Sequence, residues 1–314
     1  MLDDDDDVPE IDRAALSRTY VFANGKGGVG KTTLTSNVGG LVAESSPDVS
    51  VLLVDVNGQG NIGRDLGYRK TAVDDEGEAF YEALRAGRPL VPVKNVRPGL
   101  DVVVGGRHVG DIPDMLQSSF RLKQKRQVLA LAKSLAPIAK NYDLVALDSA
   151  PENPPLQQLA LAAARWMVAP TRTDRASIND GLGSIARQFS LVRKQVNPDL
   201  ELLGVVLFGS GSGSTKIRSR ARDFIAEELG TDAGVIFDTY IRHAEGVGVD
   251  ARDRGLLAHE LERAIASNPK FWEVRAGTAA PGSTVSLTSA SVAEDLANLA
   301  REILLRAAER DRAV

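Results

Sequence analysis

The 314-residue chain contains no cysteine. That excludes disulfides, a thiolate nucleophile and a thiolate-bound metal cluster, and it fits a reducing compartment. Histidine is nearly as scarce. His108, His243 and His259 are scattered and show none of the short spacings of a metal site. No apolar run approaches the roughly 20 residues that a membrane-spanning helix needs. The acidic N-terminus is unlike a signal or transit peptide. Hydrophobic residues at 43% and charged residues at 25% are ordinary for a soluble globular protein. The length suits one large α/β domain or two small ones. The net charge of −4 conceals two parts: seven acids precede the first base, Arg13, and the remaining 35 acids face 38 bases, a body of +3. An acidic tail ahead of a mildly basic body is compatible with DNA binding without requiring it.

One stretch organises the rest. Phe22-Ala23-Asn24-Gly25-Lys26-Gly27-Gly28-Val29-Gly30-Lys31-Thr32-Thr33 fits G-x-x-x-x-G-K-[ST] on Gly25, Gly30, Lys31 and Thr32. A phosphate chain needs many donors at close range. Glycines let backbone N–H groups turn inward, and the following helix adds free N–H groups and a partial positive charge. Lys31 is expected to reach the outer phosphates, and the Thr32 hydroxyl to hold Mg²⁺. The context agrees: Arg18–Ala23 reads as a strand, and Leu34, Val38 and Leu41 follow at helical spacing.

The second lysine of the loop, Lys26, makes Lys-Gly-Gly-Val-Gly-Lys-Thr-Thr resemble the deviant Walker A box of the ParA/MinD family of ATPases. The resemblance implies ATP and Mg²⁺ as ligands and a sandwich dimer in which Lys26 reaches the partner's nucleotide, as an arginine finger does. It implies contacts to nucleotide from Gly25, Lys26, Gly27, Gly28, Val29, Gly30, Lys31, Thr32 and Thr33. Two later stretches extend it. Asp55-Val56-Asn57-Gly58-Gln59-Gly60-Asn61 closes an apolar strand, Val49–Val56, and resembles the family's switch segment D-x-D-P-Q-G-N. Asp55 would hold a magnesium-bound water. Asn57 stands where the family has an aspartate that helps activate the attacking water, and Gly58 where it has proline. An amide can orient a water but cannot accept its proton, and losing general-base help costs about 10²–10⁴-fold in rate. Slow hydrolysis is therefore expected. Tyr142–Pro151 carries Asp148 at the end of another apolar strand and looks like a Walker B segment that supports Mg²⁺ through water.

Strands and helices alternate throughout, which predicts an α/β fold with a doubly wound, mainly parallel sheet. Residues 1–16 are expected to be a disordered acidic tail, and 17–314 a single P-loop ATPase domain. Within it, 276–286 reads as a flexible loop. Residues 291–310 read as a helix packed on the domain through Val292, Leu296, Leu299 and Ile303. Further helices are expected over 74–86, over most of 114–140 (with Arg121, Lys123, Lys125 and Arg126), over 178–195 and over 249–265. Strands are expected at 100–104, 166–169, 202–208 and 235–241. After the glycine–serine loop 209–214, Lys216, Arg218, Arg220 and Arg222 form two basic ridges at i, i+4 spacing. The family's non-specific DNA surface falls in this part of the chain, and Arg242 resembles the arginine after its last strand. No aromatic residue interleaves, so phosphate contact rather than base reading is expected.

The expected function is that of a ParA-like ATPase for plasmid or chromosome partition. It would be cytoplasmic and nucleoid-associated, a homodimer with ATP, bound to non-specific DNA and stimulated by a ParB-like partner, with no membrane role. Three alternatives stay open at this point: a non-hydrolysing, ATP-gated DNA-binding regulator, a MinD-like membrane ATPase, and a P-loop metabolic synthetase or amidotransferase relative.

Overall fold

The computed structural model describes residues 8–119, 124–211, 215–230, 233–265, 275 and 288–312. The run Asp3–Asp7, Arg121, Lys123 and residues 212–214 and 276–286 lie outside them. The centre is an eight-stranded sheet of β1 (Thr19–Phe22), β2 (Val51–Val56), β3 (Val93–Arg97), β4 (Leu100–Val103), β5 (Leu144–Ser149), β6 (Trp166–Thr171), β7 (Glu201–Ser210) and β8 (Ile241–Arg242). Its order is β3-β4-β2-β5-β1-β6-β7-β8. All pairs are parallel except β3 with β4. β3 was not predicted. Its residues Lys94 and Asn95 are exposed, and an edge strand need not be continuously apolar.

The inner strands are buried on both faces, which is why they read as unbroken apolar runs. Along β2, Leu52, Val54 and Val56 enter one core while Val51 and Leu53 enter the other. The first core is covered by α2 (Glu78–Ala86), α3 (Ala130–Ala139), α4 (Pro154–Ala163), α5 (Gly183–Gln195) and α6 (Thr215–Leu229). The second lies under α1 (Lys31–Glu44), α7 (Glu245–Arg254), α8 (Ala258–Ile265) and α9 (Ser289–Arg312). Val292, Leu296, Leu299 and Ile303 of α9 are all buried.

Four expectations need correction. The single helix over 249–265 is two helices, α7 and α8, because Gly255 turns left-handed at φ +62°. A Cβ there would lie 2.2 Å from Gly67 Cα. The strand over 235–241 is only a bridge from Ile236 to Val205 and the two residues of β8, so Arg242 belongs to the strand rather than following it. The helix over 178–195 begins with a wider π turn, Ser177–Leu182. The tail ends earlier than residue 16. Leu16 is buried, and the Arg13 guanidinium donates to the carbonyls of Ala162 and Val196, at 2.5 and 2.7 Å. Those acceptors are about 150 residues away or more, which a local charge count does not register.

Candidate functional site

The P-loop is stitched to the β6 side of the sheet. Buried Asn24 donates through Nδ2 to Pro170 O at 2.8 Å and accepts from Lys26 N–H through Oδ1 at 2.8 Å. Gly25 N–H donates to Gly181 O at 3.0 Å, and a Cβ at Gly25 would come within 2.7 Å of the Ser184 Cβ. Gly30 has φ +98° and caps α1, where a Cβ would strike the Phe208 ring at 2.4 Å. Both glycines of the motif are thus demanded by close approach. Arg172, after β6, donates from Nε to Gly28 O at 3.0 Å.

Lys31 is 5% exposed, and its Nζ donates back to Lys26 O at 2.7 Å. Burial lowers its pKa to about 8, against the charges of Asp148 and Glu152. A buried ammonium satisfied by one loop carbonyl can exchange that contact for phosphate oxygens, which bind it more strongly.

Two carboxylates stand beside it. The β2/β5 register pairs Asp55 with Asp148, and the β1/β5 register pairs Phe22 with Asp148, so both acids emerge at the strand ends next to the loop. Each is fully buried. Asp148 Oδ2 accepts from the Thr32 hydroxyl at 2.6 Å, and Asp55 Oδ2 from Ile62 N–H at 3.1 Å. The second oxygen of each, Oδ1, has no hydrogen-bond partner. Burial pushes both pKa values up. The Asp148 charge raises Asp55 further, while the Thr32 hydroxyl and Lys31 pull Asp148 back down. Two orphaned carboxylate oxygens beside a threonine hydroxyl are a poor arrangement on their own and a fitting one for a hydrated divalent cation. Among the described residues no group of three or more His, Cys, Asp or Glu could hold a metal directly. An ion here would rely on Thr32, water and ligand oxygens.

The switch segment is already braced. Asn57 is 4% exposed. Its Oδ1 accepts from Gln59 N–H at 3.1 Å, and its backbone carbonyl accepts from Gly60 and Gly106, each at 3.1 Å. The Arg69 guanidinium holds the carbonyls of Gln59 and Gly60. Arg69, Arg172 and Asn37 have no role that the sequence assigns residue by residue. Asn37 joins α1 to α8, donating to Thr33 O and accepting from Ala258 N–H, both at 2.8 Å. No motif marks these residues. Arg172 and Asn37 reach partners distant in sequence, and Arg69 folds back on carbonyls 9 and 10 residues away.

A cleft of about 970 Å³ opens over this rim. The P-loop, Asn57 and Arg172 line its polar end, while Phe208, Val247, Leu257 and Leu296 line an apolar end over β7, α7 and α9. Its size and two-ended chemistry suit a nucleotide-sized ligand.

A family model described as an AAA domain matches residues 17–202, more than half of the chain. The chain belongs to the ParA/MinD family of P-loop ATPases. It is similar to the chromosome partitioning protein ParA of Myxococcus xanthus, 32% identical over 195 residues, which are 62% of this chain and 65% of that protein. It is also similar to the chromosome-partitioning ATPase Soj of Thermus thermophilus, 34% identical over 194 residues, 62% of this chain and 70% of that protein. The chain thus spans about two thirds of these relatives. Among solved structures, apo McdA of Cyanothece superposes with a TM-score of 0.65 at 21% identity, covering 77% of this chain and 92% of that one. That likeness concerns the ParA/MinD fold.

The basic residues expected at DNA divide. Lys216 and Arg220 are exposed on α6. Arg218 stacks on Tyr240 at 4.0 Å and donates to Gly211 O at 2.9 Å. Arg222 donates to Phe237 O at 3.0 Å. Arg242 is not an open cation. Its Nε and Nη2 bind both oxygens of Asp295 on α9, at 2.7 Å each. Asp295 is 53 residues further on, beyond the reach of local pattern. Among the described residues no helix is long and apolar enough to cross a membrane.

Proposed function

We propose that the protein is a ParA-like ATPase serving DNA partition, in which binding of Mg-ATP closes two subunits over two nucleotides and the closed dimer holds DNA without sequence preference. The observation that carries the reading is the pair of orphaned oxygens on Asp55 and Asp148, set beside Thr32 at the mouth of a P-loop. Buried acids with unsatisfied atoms and raised pKa values are a poor structural investment unless a cation meets them. Mg²⁺, held by Thr32 and through water by Asp55 and Asp148, would neutralise phosphate charge. The loop's N–H groups cradle the phosphates, Lys31 moves from the Lys26 carbonyl onto phosphate oxygens, and Lys26 serves the partner's nucleotide. Asn57 orients the attacking water and cannot take its proton, so turnover is slow. Among the α6 cations, Lys216 and Arg220 are the ones open to DNA phosphates. By analogy with partition proteins, a ParB-like protein is the expected stimulator, and the nucleoid of the cytoplasm the expected location.

The engaged Asn57 carbonyl favours one second reading, an ATP-gated DNA-binding regulator that hardly hydrolyses. A membrane role finds little support, because the apolar stripe of α9 is buried and leaves Leu304 and Leu305 as its large exposed apolar side chains. Sedimentation with ATP or ADP, with and without random-sequence duplex DNA, tests the proposal. An ATP-specific dimer that co-sediments with DNA is expected. A monomer in both nucleotides, indifferent to DNA, would overturn it.

A further inference from the structure

The P-loop is met from two sides. The sheet order places β1, which feeds it, between β5 and β6. Asp148 and, beyond it, Asp55 stand on the β5 side. Arg172 stands on the β6 side, and its backbone is pinned there. Asn24 Nδ2 donates to Pro170 O at 2.8 Å, and the buried Thr171 hydroxyl donates to Ser177 O at 3.2 Å. From this anchor the exposed Arg172 side chain reaches back over the loop and donates from Nε to Gly28 O at 3.0 Å. Gly28 is left-handed at φ +71°, and an added Cβ there would meet nothing within 4 Å. The guanidinium therefore lies beside open space. Neither Nη1 nor Nη2 has a partner among the described residues. A brace alone does not account for this. The loop is already fixed by Asn24 and by Gly25 N–H on Gly181 O, at 3.0 Å, and one exposed hydrogen bond adds little. Asn57 and Gln59 of the switch line the same cleft as Arg172.

We propose that Arg172 is a phosphate-binding residue that reads the outermost phosphate of ATP in its own subunit and so separates ATP from ADP. The inference deepens the proposed reading of the cleft as a Mg-ATP site and rests on it. The N-terminus of α1 and the loop N–H groups take the inner phosphates. Arg172 meets the loop at Gly28, two residues ahead of the Gly30 cap of α1, in the cleft it shares with Asn57 and Gln59. The outermost phosphate is the one that ATP has and ADP lacks. The acids on the β5 side serve the cation, and the two free Nη groups meet the phosphate from the β6 side. A guanidinium fork matches two oxygens of one phosphate. The Nε contact with Gly28 O aims the fork without consuming it.

The test is calorimetry of the full chain with two Mg-bound probes, ADP and a β,γ-imido analogue of ATP. Arg172→Ala removes one charge-assisted contact at a partly exposed site and is expected to weaken the analogue about tenfold. It should leave ADP within about twofold and the melting temperature unchanged. Arg172→Lys keeps the charge without the fork and should recover part of the loss. Equal weakening of both nucleotides would reduce Arg172 to a brace of the loop and overturn the inference, as would no loss at all. A loss confined to protein concentrations at which subunits pair would assign the guanidinium to the partner's nucleotide and overturn the role within one subunit. A wild-type chain that binds neither probe would instead overturn the parent reading.

Discussion

The C-terminal rim of the sheet treats its polar residues in opposite ways at its two ends. At β1, β2 and β5, Lys31, Asp55 and Asp148 are buried, and both acids leave an oxygen unpartnered. At β7 and β8 the charged groups are already engaged: Arg242 grips Asp295, Arg222 a backbone carbonyl, and Arg218 the Tyr240 ring. The first end is unfinished without a ligand, whereas the second is largely complete. Unpartnered oxygens on buried acids, which among the described residues are those of Asp55 and Asp148, therefore locate the chemistry better than charge density does. On the proposed reading, the α6 cations would matter for DNA only where they remain open.

The comparison breaks most severely away from both ends. Asn197 is fully buried and donates through Nδ2 to the carbonyls of Leu161, Ala162 and Ala164, capping the end of α4. Asn197→Ala leaves those acceptors bare and should cost about 2–4 kcal/mol in urea unfolding. ATP affinity of the folded fraction should stay unchanged. A large loss of affinity in the folded protein would show that the unfinished end depends on remote packing.

Lys31→Ala sharpens the contrast at the unfinished end. Losing about two charge-assisted hydrogen bonds to phosphate predicts at least about 100-fold weaker ATP binding by calorimetry, with little loss of stability. Arg242→Ala should do the reverse, lowering the melting temperature and sparing ATP affinity.

A smaller effect comes from Asp65, which lines the same cleft. Burial raises its pKa to about 6, against the pull of the Ser36 hydroxyl and then of Arg252 and Arg64. An acid whose pKa is higher folded than unfolded stabilises the fold below the ordinary carboxylate range. That contribution is lost as pH rises through about 6. Wild-type stability should thus lose about 1–2 kcal/mol from this residue between pH 4 and pH 7. Asp65→Asn should flatten that part of the profile, and an unchanged slope would refute the assignment.

The finest distinction lies on α6. Replacing Lys216 and Arg220 together by alanine should reduce the salt slope of DNA binding by about 2, one phosphate contact each. Arg242→Ala should leave the slope within about 0.5 of wild type. Equal slopes for both variants would erase the difference between open and engaged cations.

The unfinished end was legible because its residues are read locally. A buried parallel strand shows as an apolar run, and Asp55, Asp148 and Gly25–Thr33 each sit where such a run stops. Helices α1 and α9 were legible through one-sided apolar spacing. What escaped was held by contacts that no local pattern registers. The Arg69 brace on the switch carbonyls, the Arg172 contact with Gly28 and the Asn197 cap join residues that no period connects. The engagement of Arg242 was hidden for the same reason, since its partner lies on α9. The division of 249–265 into two helices turned on Gly255, which sits left-handed and close against the Gly67 backbone. Edge strand β3 was missed because half-exposed residues carry no buried-strand signature.

The central claim is that this end of the sheet binds ATP competently and hydrolyses it slowly because Asn57 replaces a carboxylate. Single-turnover hydrolysis at saturating Mg-ATP, for wild type and Asn57→Asp, tests it most directly. The aspartate can still accept from Gln59 N–H, so the turn survives the change. The account predicts slow wild-type turnover and a gain of about 10²-fold in the variant. Brisk wild-type turnover that Asn57→Asp leaves unchanged would contradict it and assign the attacking water to another group.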